Sequence, residues 1–436
     1  MNSPGSIGST APRLLARAVA AALVIFASAA CSATDSASSA GKKEITFLVF
    51  ETPNLTPAYW DAAIKRVTDK FPDITVKKLV SPDQDRTRYA KQLDSTGQLP
   101  DVMIAVSPAG FAEAGKLYAF NPDELKDFEF PNNGAVKGKV YQLPANTQTI
   151  PVVYYNKKQF AAAGITAEPK TYAEFLTAAQ KLKAKGIQPL VTGGVHDNLG
   201  VLFAGIAGTD VYAKNPTWMA DRRAGKVKFC DADWKAAAAK LADLSAKGYV
   251  NKGDVSRDYA ATQQAFLDGK GAIYPMGNWF AGALDDPKTR PAFDVGQLTW
   301  PSDDGTMVVP AFTGGGLLVN AKAKNLDAAR KFALAFQTDK TNMDASAKND
   351  GLFVAVKGFS PPSDVGPAFK AGYDLYAKAL AAKAVVPSMG FEAGDDGFLP
   401  GVGARVDSSL VDLVSGTKTV DQVCSFLDSE WQKAAG

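Results

Sequence analysis

Gly138-Lys139-Val140-Tyr141-Gln142-Leu143-Pro144, then Val152-Val153-Tyr154-Tyr155-Asn156-Lys157-Lys158-Gln159-Phe160 and Ala163-Gly164-Ile165, form the densest run of pattern in this chain. Residues 152–155 are apolar, β-branched or aromatic throughout, which is the pattern of a buried strand. Just downstream, Thr171-Tyr172-Ala173-Glu174 has the spacing of a capping box, where a Thr hydroxyl and a Glu carboxylate satisfy orphan backbone donors. Phe175, Ala178, Ala179 and Leu182 then form the buried stripe of a helix that Gly186 ends. The alternation extends outward in both directions. Upstream, residues 45–50 and 74–80 read as strands around a helix opened by Thr56-Pro57. That helix has Pro57 at its first position, Ala63, Ile64 and Val67 on one face, and a stop before Phe71-Pro72. Pro100-Asp101 leads into another strand over 102–106. Downstream, residues 233–247 predict a helix with Trp234, Ala237, Ala238, Leu241 and Leu244 inward and Gly248 as its stop. Asn325 caps a further helix carrying Ala329, Phe332, Ala333 and Phe336, and residues 419–422 open the last one. Strands separated by helices predict α/β lobes with mixed or parallel sheets.

The beginning of the chain has a different character. Arg13 and Arg17 precede an apolar run over 18–27, Ser28-Ala29-Ala30 leads to Cys31, and residues 32–41 are Ser, Ala, Gly, Thr and one Asp. Basic, apolar and small-residue regions in that order read as a signal peptide over 1–30. A cysteine directly after the small residues resembles the lipobox of bacterial lipoproteins. That resemblance implies cleavage before Cys31, lipid on its thiol and new amine, and a flexible tether over 31–41. Ser28 stands where Leu is usual in the motif, so ordinary secretion is the second reading. The apolar run is well short of the ~20 residues that span a bilayer.

Without its leader the chain still exceeds the ~250–300 residues at which single cores stop growing, so two lobes are expected. A hydrophobic content of 46% and an aromatic content of 10% are ample to fill two cores. The 48 basic and 45 acidic residues nearly cancel and form no basic run, which argues against nucleic acid as a partner. His196 is the only histidine. A His-based metal site or a Ser-His-Asp triad has nothing else to use, and the chain lacks CxxC, HxxxH and Gly-x-Ser-x-Gly spacings, so neither metal nor cofactor is expected. Within Gly193-Gly194-Val195-His196-Asp197-Asn198, His196 reads as a polar loop residue. Cys230 and Cys424 form either a bridge or two separate buried thiols, because the geometry a disulfide demands is not in the sequence. Val420, Cys424, Leu427 and Trp431 recur at helical spacing and put Cys424 on an apolar face in both cases.

Further motifs follow in order. Leu99-Pro100-Asp101-Val102 comes first, then the 138–165 stretch, then Pro169-Lys170-Thr171-Tyr172-Ala173-Glu174-Phe175. Phe266-Leu267-Asp268-Gly269-Lys270-Gly271-Ala272 runs into Met276-Gly277-Asn278-Trp279, and Gly314-Gly315-Gly316-Leu317-Leu318-Val319-Asn320 precedes Ala328-Ala329-Arg330-Lys331-Phe332. The whole order resembles the extracellular solute-binding proteins (family 1) of bacterial sugar ABC transporters, the group containing maltose-binding protein. The resemblance implies a two-lobe periplasmic-binding-protein-like α/β fold with a hinge and an interlobe ligand cleft. Crossovers are expected near residues 144–149, 310–316 and 351–356, giving an N-lobe of 42–146 and 313–353 and a C-lobe of 147–312 and 354–436. It further implies a monomer that captures a carbohydrate, a mono- or oligosaccharide, and delivers it to the permease subunits of an ABC transporter without catalysis. Its place would be outside the cell membrane, held there by lipid on Cys31.

A pyranose presents an apolar face and a rim of hydroxyls, so its site needs an aromatic ring together with amides or carboxylates. Trp279, after Gly277-Asn278 at a strand end, is the first choice for the ring, with a core Trp as the alternative. The resemblance places Glu51 and Thr52 on the cleft side of the first strand. Asp101, Gln148, Asp197, Asn278, Phe391 and Glu392 complete the polar and aromatic candidates, Asp101 reading equally as a turn cap. Gly315, inside Gly314-Gly315-Gly316, marks close backbone approach at a crossover. Glu392, Asp395 and Asp396 also read as a solvated acidic loop, and Trp60, Trp218 and Trp300 as packing residues. Two competing classes stay open: the same fold binding a non-sugar solute, and a secreted glycoside hydrolase using two carboxylates about 5–10 Å apart, although no such pair stands out.

Overall fold

The computed structural model describes residues 41–194 and 198–436. The expectations for residues 1–40, Cys31 among them, and for His196 and Asp197 lie outside the described residues. In the first lobe, strand Lys43–Val49 pairs in parallel with Ile74–Val80 and with Val102–Ile104, and Leu317–Val319 closes the sheet antiparallel. Phe47 points from this sheet into rings on two helices. Its centroid lies 6.3 Å from Trp60 on helix Pro57–Lys70 and 5.3 Å from Phe332 on helix Leu326–Thr338. As expected, Thr56 accepts the Tyr59 N–H and Pro57 starts the helix, but its buried face is Trp60, Ala63 and Val67, with Ile64 only partly covered. The strand expected over 102–106 stops at Ile104, because Ala105 turns the chain with φ 52°. Asn325 makes no side-chain cap; its amide instead donates to the Glu44 carbonyl at 2.9 Å, tying helix Leu326–Thr338 to the first strand.

The second lobe is centred on strand Val152–Asn156, antiparallel to both Ile273–Met276 and Val295–Thr299. The parallel geometry of the first lobe does not carry over, because these two strands run back towards the end from which Val152 departs. Val152 sits opposite both Met276 and Thr299. Helices Tyr172–Ala184 and Ala232–Ala246 pack here with the inward faces their sequences predicted, and the Thr171–Glu174 capping box is formed. Trp218, Trp234 and Trp300 are buried in this core. Cys230, just ahead of helix Ala232–Ala246, is bridged to Cys424 on helix Val420–Ala435. Beside the bridge, the Asp428 carboxylate accepts from Arg222 at 2.9 Å and from the Phe229 N–H at 3.0 Å, and the Arg222 guanidinium lies 4.7 Å from the Trp431 ring centre.

Between the lobes lies a third sheet in the order Phe353–Val354, Asn146–Thr149, Val309–Gly314, Val385–Pro387. Three of its strands carry the chain from one core to the other. Leu143 and Ala145 belong to the first core while Ile150 and Val152 belong to the second, and Phe312 and Leu317 divide in the same way. Gly316 must be glycine here, since a Cβ would fall 1.7 Å from the Leu143 carbonyl oxygen.

Candidate functional site

The lobes face one another across a cleft of about 690 Å³. Its N-lobe wall comes from segments that leave the carboxyl ends of parallel strands: Phe50 and Thr52, then residues 84–88, then 104–109. That is where open α/β sheets hold their ligands, because the strand ends splay and the loops are free to vary. The opposite wall carries Tyr259, Met276, Trp279, Phe391, Glu392 and Phe398, and the hinge strands supply Asn146, Gln148, Phe312 and Gly315 as a floor.

Six of the candidates chosen from sequence line this cleft: Thr52, Gln148, Trp279, Gly315, Phe391 and Glu392. Trp279 sits in a short 3₁₀ turn after strand Ile273–Met276 and is half-buried. Its indole folds back over Gly277, where a Cβ would stand 2.1 Å from a ring carbon, so glycine makes room for the ring. The indole Nε1 donates to the Tyr259 hydroxyl at 3.0 Å, which fixes the ring plane at the cleft surface. The Phe391 ring lies 5.6 Å from Phe312, at an angle of 39°. Gly315 has φ 69° and approaches Gln148 closely: a Cβ would lie 3.0 Å from the Gln148 Nε2. Glu392 accepts the Ser388 N–H at 3.1 Å. Burial pushes its carboxyl up to about 8, with the neighbouring Asp396 charge adding to the rise and the Ser388 amide opposing it. The protonated acid is therefore a hydrogen-bond donor at neutral pH.

The remaining described candidates are placed elsewhere. The Asn278 side chain, 1% exposed, does not reach the cleft. Its Oδ1 accepts the Thr149 N–H at 2.9 Å and its Nδ2 donates to the Gly351 carbonyl at 2.7 Å, so it joins two hinge crossovers. The Asp101 Oδ2 accepts from both the backbone N–H and the hydroxyl of Thr46 at 2.8 Å, clamping the first strand rather than capping a turn. Glu51 stays off the lining, and its carbonyl accepts from Gln84 Nε2 at 2.8 Å. Sequence reasoning missed Arg86, Tyr59, Tyr259 and Phe312. Arg86 lies over the Phe50 ring at 4.2 Å while its Nε donates to the Ala105 carbonyl and its Nη1 to Gln84. Tyr59 is titrated upward by burial and then by the charge of Asp350. The one signal that could have found residues 84–88 is their position between a strand end and a helix, which is where loops carry function.

The lobes also touch across the cleft. Asn54, held in a turn by the Thr52 hydroxyl, donates to the Trp279 carbonyl at 3.3 Å and accepts from Gln263 at 3.5 Å. Among the described residues, no group of three or more His, Cys, Asp or Glu side chains is placed to hold a metal ion. Residues 52–343 match the family of bacterial extracellular solute-binding proteins.

The chain belongs to that family. Relatives in it are binding proteins rather than enzymes. The maltodextrin-binding protein MdxE of Bacillus subtilis is 29% identical over 358 residues, covering 75% of this chain and 79% of that protein. An extracellular-binding protein of an ABC transporter from Pyrococcus horikoshii is 23% identical over 71% of this chain and 69% of its own. Solved structures share the two-lobe fold. A chitin oligosaccharide binding protein superimposes with TM-score 0.77 at 24% identity over 90% of this chain and 99% of its own. A maltose-bound MalE3 of T. maritima gives 0.72 at 18% identity over 89% and 99%.

Proposed function

We propose that this family member captures an oligosaccharide between its lobes and hands it unchanged to the permease of an ABC importer. The observation that carries the reading is the composition of the cleft. Rings of Trp279, Tyr259, Phe312 and Phe391 offer flat apolar faces, and neutral amides of Gln84, Asn146 and Gln148 sit among them with a cleft of about 690 Å³. Such a surface matches sugar C–H faces and hydroxyl rims without requiring a charged ligand. The maltodextrin specificity of one relative and the chitin-oligosaccharide, raffinose and maltose ligands named for structural neighbours support the same class. The lobes that close on the ligand are 42–146 with 313–353 and 147–312 with 354–436. Glu392 donates to a sugar hydroxyl, Trp279 stacks on a ring face, and Thr52, Gln148 and Phe391 complete the contacts. Cys31 carries the lipid that keeps the protein at the outer face of the membrane.

Titration calorimetry against malto-, chito- and xylo-oligosaccharides and raffinose tests the reading, with recovery of the bound sugar afterwards. Saturable binding and intact sugar are expected. No heat with any of them, or cleavage with turnover, overturns it. Intact-mass analysis of membrane-extracted protein tests the anchor: loss of residues 1–30 plus acyl mass on Cys31 is expected, and an unmodified Cys31 rules it out.

A further inference from the structure

Two residues of the cleft, Phe391 and Glu392, sit on a segment that is gripped from both lobes. From the C-lobe side, Arg223 at the end of helix Trp218–Arg223 donates to the Gly397 carbonyl at 2.8 Å and to the Gly394 carbonyl at 3.4 Å. From the other side comes the hairpin of Ala135–Val136 and Lys139–Val140, whose Val136 packs with Leu48, Met103 and Leu318 in the N-lobe. Its Lys137 N–H donates to the Asp395 carboxylate at 2.8 Å. Contact is tight along the backbone as well. A Cβ on Gly394 would stand 2.3 Å from the Ala135 carbonyl oxygen and 2.4 Å from that of Gly134. The segment runs between Met389 and Phe398, which pack with the C-lobe core, whereas the hairpin packs with the N-lobe, so the two belong to different lobes.

We propose that residues 391–397 are a closure strap, and that Asp395 is a positioning residue: by docking on the Lys137 amide it holds the lobes together and holds Phe391 and Glu392 against the ligand. The proposal rests on the cleft being the sugar site. Asp395 itself is exposed and is not among the cleft-lining residues. Its effect on binding is therefore indirect, through the population of the closed form. A contact made only in that form slows release, because opening must break it, and slows entry to the extent that it keeps the unliganded cleft closed. A carboxylate on a backbone N–H is a charge-assisted bond, weakened here by solvent at the rim.

The test compares the wild type with Asp395→Ala and Asp395→Asn. The asparagine retains an oxygen that accepts the Lys137 N–H. Stopped-flow kinetics with maltotriose and chitotriose should show dissociation from Asp395→Ala faster by roughly 3- to 10-fold with an association rate no slower than that of the wild type, and Asp395→Asn should stay close to wild type. Small-angle X-ray scattering of the unliganded proteins should give a larger radius of gyration for Asp395→Ala alone. Wild-type dissociation from Asp395→Ala overturns the strap, as does an equal loss for both variants carried by the association rate. If the wild type binds no sugar of the calorimetry panel, the carbohydrate reading fails by itself. Scattering then decides the strap: an unchanged radius in Asp395→Ala overturns it, and an increased one supports it.

Discussion

Trp279 and Glu392 show how a single side chain takes its role from its neighbours. Ring-to-base stacking, the nearest measured analogue, is worth about 1–3 kcal/mol by alanine substitution. Trp279→Ala should therefore weaken sugar binding by roughly 5- to 150-fold at 1.4 kcal/mol per decade. The ring is half-buried at the cleft surface, so unfolding free energy should fall by much less than the ~3–5 kcal/mol of deleting a core Trp. Calorimetry and denaturant unfolding of the same variant check both; unchanged affinity with a large stability loss would make it a core residue. Glu392 provides a pH test. Its folded carboxyl is raised from an ordinary 4.5 to about 8. Between those values the folded state holds a proton that the unfolded chain has released, so this group makes stability fall as pH rises through that window. Denaturation midpoints measured from pH 5 to pH 9 should decline less steeply in Glu392→Gln, which is neutral throughout; parallel profiles would refute the shifted carboxyl.

At the scale of elements, the hinge depends on buried polar pairing rather than on packing alone. Three crossover strands lie side by side, and the Asn278 amide fastens Thr149 of one to Gly351 beside another. Truncation to alanine leaves a buried N–H and a buried carbonyl without partners, at about 1–3 kcal/mol for each unsatisfied group. Asn278→Ala should thus lower unfolding free energy by about 2–6 kcal/mol, although the residue lies outside the cleft. Urea denaturation would show it, and a loss below about 0.5 kcal/mol would mean that water or backbone adjustment replaces the amide. The strand and helix content around this hinge was legible in sequence because it is local. The Thr171–Glu174 box, Pro57 at a helix start and the stripe of helix Ala232–Ala246 are each set within a few residues. Asn325 shows the limit of such reasoning, since its amide was drawn from the expected cap to the Glu44 carbonyl by a strand 281 positions away.

For the molecule as a whole, the Cys230–Cys424 bridge ties the last helix to the C-lobe core across a separation of 194 residues. Cross-links of long loops restrict the unfolded ensemble, and losing a native one typically costs about 2–5 kcal/mol. The paired Cys230→Ser, Cys424→Ser variant should lose an amount in that range by chemical denaturation, and the wild type should lose the same under reductant. Sugar affinity should change little, because neither cysteine lines the cleft. A variant as stable as the wild type would show that the helix is held by its Val423, Leu427 and Trp431 packing alone.

Sequence by itself determined the class of fold and the order of its elements, since capping, periodicity and strand-length apolar runs act over short stretches of chain. It also limited the chemistry: one histidine and a nearly balanced charge leave few reactions and few polyanionic partners. It could single out Trp279, because Gly277 beside it is a local signal for a ring that needs room. Only the tertiary structure decided which polar residues face the cleft. Asp101 and Asn278 looked like site residues, and long-range hydrogen bonds turned both inward to clamp strands and crossovers. Arg86 and Tyr59 carried no signal in the sequence, and the meeting of two lobes made them cleft walls. The disulfide was decided in the same way, by bringing two distant segments within bonding range. Each of these outcomes depends on contacts between residues far apart in the chain, and spacing along a sequence carries no information about such distances.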